Sequence, residues 1–312
     1  MALKRLLSRR YPAQGTTSSD GAGASALPET PASDNERPLR YLVVGLAKTG
    51  TTVISKTIQN SAGIQNYYLE PKTISFFESL GEQAGDGVVK ILFDHWDHRR
   101  RLLSAVIGNE LATNFQANIF ITRDPRAELI SRLNYVAFPY FLSGDGSAQD
   151  AKDWVDLFRR KENDPNFSLR ALIDELQSRF NVRLANTVAT VSHRYAGYVG
   201  GLPPRRKVLI RYEDFLASKL DDHPLKHLFT GSREVGRDLQ RTRRSGEKED
   251  WRAFIAPTDL GWLNETLAAS IEGLGYERDI DVGGSIDPEN CSRYVERIIA
   301  EAVAQRSQGQ PS

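Results

Sequence analysis

The chain has 312 residues, with 41 Lys and Arg against 40 Asp and Glu and a formal net charge of +1. That balance excludes the broad positive field of a nucleic-acid-binding protein, so any anion site must be local. A single cysteine, Cys291, excludes an intrachain disulfide and points to a reducing, cytoplasmic setting, and no run of about 18 apolar residues marks a transmembrane helix. The length suits one large domain, expected over 39–304, between tails at 1–38 and 305–312. Residues 1–38 are rich in Ala, Gly, Ser, Thr and Pro and are expected to be disordered. Their basic start (Lys4, Arg5, Arg9, Arg10) lacks the apolar stretch of a signal peptide.

Tyr41–Val44 is a short apolar run that predicts a buried strand, and Gly45 ends it. From Thr51 onward Val53, Ile54 and Ile58 follow a helical spacing. Strand, Gly-bounded loop and helix together aim backbone N–H groups and a helix N-terminus at one point, an arrangement suited to phosphate or sulfate. Gly45 and Gly50 have the spacing of a nucleoside-triphosphate P-loop, but the next residue is Thr51 rather than Lys, and the lysine lies inside the loop at Lys48. An ordinary tight turn with an incidental lysine fits the same letters. Lys48-Thr49-Gly50-Thr51-Thr52 after a strand resembles the 5′-phosphosulfate loop of the sulfotransferases that use 3′-phosphoadenosine 5′-phosphosulfate (PAPS).

Asn66–Leu69 predicts a second strand, ended by Glu70-Pro71. Glu70-Pro71-Lys72 followed by Ser75-Phe76-Phe77 is similar to a carbohydrate-sulfotransferase segment in which a glutamate serves some enzymes as general base, although Thr73 occupies that glutamate's position in one such pattern. A solvated strand-end residue is the plainer reading of Glu70. Val88–Phe93 predicts a third strand, followed by Asp94-His95-Trp96-Asp97-His98. Resemblance to the small-molecule sulfotransferases makes His95 the second candidate base. Two histidines three apart are a weak metal signal, and a polar loop capping a helix with Leu102, Leu103, Val106, Ile107 and Leu111 on one face fits equally.

Asn118–Thr122 predicts a fourth strand, with Asp124 as cap and Pro125 in the first turn of the next helix. Arg123 and Ser131, eight apart, match the family's second signature, which holds the nucleotide 3′-phosphate; a planar guanidinium fork and a hydroxyl donor suit phosphate oxygens. The stretch 135–167 is aromatic (Tyr135, Phe138, Tyr140, Phe141, Trp154, Phe158), where the family places acceptor contacts, but packing accounts for most such rings. Leu169–Tyr198 predicts one or two helices with Arg183, His193 and Arg194 on polar faces. Lys207–Arg211 predicts a fifth strand entering Tyr212-Glu213-Asp214-Phe215, and the resemblance puts Tyr212 near the adenine. Arg244-Ser245-Gly246 with Trp251 keeps the spacing of the family's last cofactor loop, with Ser245 in place of its lysine and Glu249 in place of a glycine. Asp259–Leu274 and Pro288–Val303 predict two amphipathic helices.

The resemblance spans about residues 38–275. It implies an α/β fold, a single P-loop-like domain with a central parallel sheet of about five strands and helices on both faces, binding PAPS across the strand ends. It implies transfer of a sulfuryl group to a hydroxyl or amine, on a glycan or a small hydroxylated molecule, with no metal required and no nucleic-acid partner. A nucleotide kinase or NTPase on the same architecture, and a non-catalytic nucleotide-binding module, stand as alternatives.

Overall fold

Five strands form one parallel sheet in the order β2-β3-β1-β4-β5: β1 Arg40–Gly45, β2 Tyr67–Leu69, β3 Gly87–Leu92, β4 Ala117–Thr122 and β5 Val208–Arg211. The computed structural model describes residues 38–82, 85–96, 114–164, 166–203, 207–236 and 251–308. Asp97, His98, the apolar stripe Leu102–Leu111 and the loop with Arg244, Ser245 and Gly246 lie outside them.

The order of the sheet fixes where ligands can go. From β1 the chain moves outward to β2, whereas from β4 it moves the opposite way to β5, and β1 and β4 are neighbours. The crevice beyond their C-terminal ends is therefore a topological switch point, where open α/β sheets bind ligands. Side chains alternate along β1 as a strand requires. Tyr41 and Val43 face one layer with Ile54 and Ile58 of α1 (Thr51–Ser61), whereas Leu42 and Val44 face the other with Phe77 and Leu80 of α2 (Ile74–Glu82). Burial on both faces explains why the three central strands, β1, β3 and β4, read as largely apolar runs, whereas the edge strands β2 and β5 are more exposed.

The rest of the chain builds helices. After β3 comes one helical turn, α3 (Phe93–Trp96). α4 (Pro125–Tyr135) starts with Asp124 accepting from the Arg126 N–H and Pro125 in the first turn. α5 (Ala137–Ser143), α6 (Ala148–Asn163) and α7 (Leu169–Phe180) follow, α6 opened by a Ser147/Asp150 capping box and α7 closed by left-handed Asn181. α8 (Ala185–Gly201) returns to the sheet, where the buried Tyr195 hydroxyl donates to the carbonyls of Ile121 (2.8 Å) and Val44 (3.2 Å). α9 (Tyr212–Leu216) continues directly from β5. Most of the aromatic stretch packs: Phe138, Phe141, Trp154 and Phe158 lie in a helical core beside the sheet. Arg183, His193 and Arg194 are exposed, as expected.

Two helix boundaries differ from the sequence reading. The segment expected as one helix over Asp259–Leu274 is two, α10 (Pro257–Thr266) and α11 (Ala268–Gly273), because the backbone at Leu267 leaves the helical region (φ −106°, ψ 9°). The segment expected over Pro288–Val303 starts as a 3₁₀ turn, Pro288–Asn290, breaks at Cys291 (φ −129°, ψ −106°), and continues as α12 (Ser292–Ser307). α12 thus runs into the stretch expected as a tail from 305. Periodicity cannot see such breaks, since both halves present their apolar residues to the same core.

Candidate functional site

The loop between β1 and α1 is shaped by its own residues. Gly45 has no room for a side chain: a Cβ there would lie 2.5 Å from Thr51 Cγ2 and 2.9 Å from Thr49 Oγ1. Lys48 (φ 70°) and Gly50 (φ 83°) are left-handed, and Thr49 between them is not. Alternating hand of this kind makes successive N–H groups converge on an anion. A lysine in the left-handed region is held there against a local cost, a condition that clusters at binding sites. Gly50 is the N-cap of α1, and the N–H groups of the helix's first turn have no partner within the helix. Buried Thr49 closes the loop from below, its hydroxyl donating to the Leu46 carbonyl at 2.8 Å.

The second predicted cluster meets the first. Arg123, at the end of β4, donates from Nη1 to the Lys48 carbonyl at 2.9 Å and lies over the Tyr212 ring at 4.9 Å. Tyr212 in turn covers Gly50, whose Cβ would fall 2.2 Å from the ring. Lys48 Nζ lies 3.9 Å from the centre of the Tyr135 ring, at the C-terminal end of α4. Ser131 is half-buried on the same helix. Lys48, Thr49, Gly50, Thr51, Arg123 and Tyr212 thus belong to one constellation at the β1/β4 switch point. Beside it Asp124 caps α4, binds fully buried Arg126 at 2.7 Å, and donates its own N–H to Glu213 Oε1 at 2.8 Å.

The two candidate bases are hydrogen-bond partners. Glu70 ends β2 in the left-handed region (φ 51°). Its Oε1 accepts from Lys90 Nζ at 2.7 Å, and its Oε2 lies 3.1 Å from His95 Nδ1. An ionised carboxylate only accepts, so Nδ1 carries the hydrogen and Nε2 is the basic nitrogen of the neutral ring. Burial pushes the Glu70 carboxyl up, but the His95 hydrogen bond and the Lys90 ammonium outweigh it and bring it down to about 2. The hydrogen bond to Glu70 raises His95 above its usual value, against the opposing effect of burial. Lys90 is 5% exposed, Glu70 24% and His95 55%, so the imidazole is the member that reaches solvent.

No protein-family model matches this chain, and no curated protein does. The functional reading therefore rests on the site itself.

Sequence reasoning missed a second set of residues beside the loop. Asp94 accepts from the Ala47 N–H (3.0 Å) and from Arg132 Nη2 (2.9 Å); Arg132 Nε donates to Glu128 (2.8 Å), which accepts from the Ser192 hydroxyl (2.8 Å). The signal available was the i, i+4 spacing of Glu128 and Arg132 on α4. That spacing is ordinary on a solvated helix face, and here Glu128 is 1% exposed.

Proposed function

We propose that this chain is a sulfotransferase that uses PAPS as sulfuryl donor and modifies a hydroxyl or amine of a glycan or small hydroxylated molecule. One observation carries the reading: the loop Lys48–Thr52 and the Arg123 signature, 75 residues apart, are joined by the 2.9 Å contact between Arg123 and the Lys48 carbonyl. A nucleotide with phosphate groups at both ends needs two cationic elements on one crevice, and these two are contiguous.

The residues fit such a group. The loop offers an ammonium and a helix N-terminus. When bound, the donor supplies a sulfuryl group carried on a phosphate oxygen. Lys48 and the N–H groups at Gly50, Thr51 and Thr52 oppose negative charge on that oxygen where it develops. Arg123 and Ser131 hold the second phosphate. His95 accepts the acceptor's proton at Nε2, while Glu70 fixes the ring through Nδ1 and Lys90 keeps Glu70 ionised. On this reading the proton goes to the imidazole rather than to Glu70, because a carboxyl held at about 2 is a weak base at neutral pH.

Two further features bear on setting. The lone cysteine, Cys291, is buried, and among the described residues no helix is long and apolar enough to cross a membrane. The proposed cytoplasmic setting rests on the use of a single cysteine in 312 residues. The test is calorimetry with adenosine 3′,5′-bisphosphate. Saturable heat from that nucleotide, together with transfer of labelled sulfate to polysaccharide or small-molecule pools, is the expected result. No heat from it, or magnesium-dependent turnover of ATP in its place, would sink the reading in favour of an NTPase; binding with no transfer to any pool would leave a nucleotide-binding module.

A further inference from the structure

The loop gives up one of its own N–H groups. Ala47 donates to Asp94 Oδ1 at 3.0 Å, so an anion-binding loop carries a carboxylate at its edge. Electrostatically this is unfavourable for an anionic ligand, and the side chain is only 11% exposed, so its charge is poorly screened. The cost is offset by Arg132, whose Nη2 meets Asp94 Oδ2 at 2.9 Å, and Arg132 is itself held by Glu128 at 2.8 Å. The residue that follows Asp94 is His95, bonded to Glu70 at 3.1 Å. Two consecutive residues therefore touch the two halves of the site: one fixes the anion loop, the other the proton acceptor. The turn that carries them is pinned at both ends by buried rings, Phe93 against Tyr195 (5.2 Å) and Trp96 against Phe77 (5.6 Å).

We propose that Asp94, paired with Arg132, is a positioning residue that locks the first half of the anion loop and sets it at a fixed separation from the Glu70–His95 pair. The inference rests on the nucleotide reading of the same loop. Its physical content is that Ala47 is withdrawn from the ligand's donors so that Lys48–Thr52 keep one conformation, which lowers the ordering cost of binding.

The sign of one measurement separates this role from mere proximity. If Asp94 were only a nearby charge, removing it would tighten anion binding. If it orders the loop, Asp94→Ala weakens binding of adenosine 3′,5′-bisphosphate by about tenfold or more, the usual consequence of losing a hydrogen bond to a charged group. Asp94→Asn keeps an acceptor for Ala47 while removing the charge, and is expected to restore affinity to within about threefold of wild type. Calorimetry on the full chain, with thermal unfolding confirming that each variant is folded, gives the answer. Tighter binding by Asp94→Ala, or equal loss in both variants, overturns the positioning role. Failure of the wild-type chain to bind overturns the nucleotide reading, and the inference with it.

Discussion

Lys48 is the residue on which most depends. Its left-handed backbone is already strained, and Lys48→Ala keeps the Cβ and hence that strain, so the substitution isolates the ammonium. Removing one preorganised charge partner of a developing oxyanion typically costs roughly a hundredfold in rate or more. Transfer of labelled sulfate by Lys48→Ala is expected to fall by at least about that factor with the unfolding temperature little changed; wild-type transfer by this variant would remove the assigned role.

The Glu70–His95 pair makes a signed prediction about pH. Glu70 is lowered from 4.5 to about 2, so its contribution to stability is present above 4.5 and is lost as pH falls toward 2. His95 is raised from 6.5, so its contribution is complete below 6.5 and is lost as pH rises through the raised value. Urea denaturation of wild type against Glu70→Gln should therefore differ most between pH 4.5 and 6.5 and converge on the acid side. Activity is expected to rise with pH as His95 loses its proton, with a midpoint that moves down in Glu70→Gln. A midpoint unmoved by that change would detach Glu70 from the imidazole.

At the scale of elements, the site is a product of how β1 hands over to α1. Gly50 must be left-handed to start the helix, and its missing side chain is the space that the Tyr212 ring occupies. Gly50→Ala meets both constraints and is expected to cost about 2 kcal/mol or more by urea denaturation. Gly50→Ala with Tyr212→Ala relieves the clash but not the backbone, so it should recover part of the stability lost to the clash and not all. Equal stability of Gly50→Ala and wild type would mean that the loop is not held as described.

The elements also show how far local pattern reaches. The strand-loop-helix at 41–58 and the Asp124-Pro125 helix start are written in neighbouring letters, and both were legible. So was the packing of Trp154 and Phe158 from their apolar character. The break at Leu267 was not, because both segments keep their apolar residues toward one core. Asp94 was read as a loop or capping residue, since a carboxylate beside a histidine says nothing of which N–H lies opposite it.

On the scale of the whole molecule, the site lies at the strand ends, and a helical core that includes Leu129, Ile130 and Leu133 of α4 packs beside the sheet. Trp154 is fully buried there, 4.5 Å from Phe180 between ring centres. Trp154→Ala is expected to cost about 3–5 kcal/mol of stability. Where that variant is folded, its affinity for adenosine 3′,5′-bisphosphate should match wild type. Tenfold weaker binding below the unfolding transition would show that the helical core shapes the crevice after all.

By itself the sequence determined the parts: five strands, a strand-to-helix loop with its lysine displaced inward, and an arginine at the head of a capped helix. These follow from periodicity, propensity and spacing over a few residues, which is the range over which local letters act. The tertiary structure alone decided which parts meet. Glu70 and His95 are 25 residues apart, Ala47 and Asp94 are 47, and Lys48 and Arg123 are 75. Their contacts arise because β3 and β4 flank β1 while β2 lies outside β3, an order set by the burial of both sheet faces and the direction of each crossover. No local pattern carries that order, so the Glu70–His95 pair and the Asp94–Ala47 contact came into view only in the folded chain.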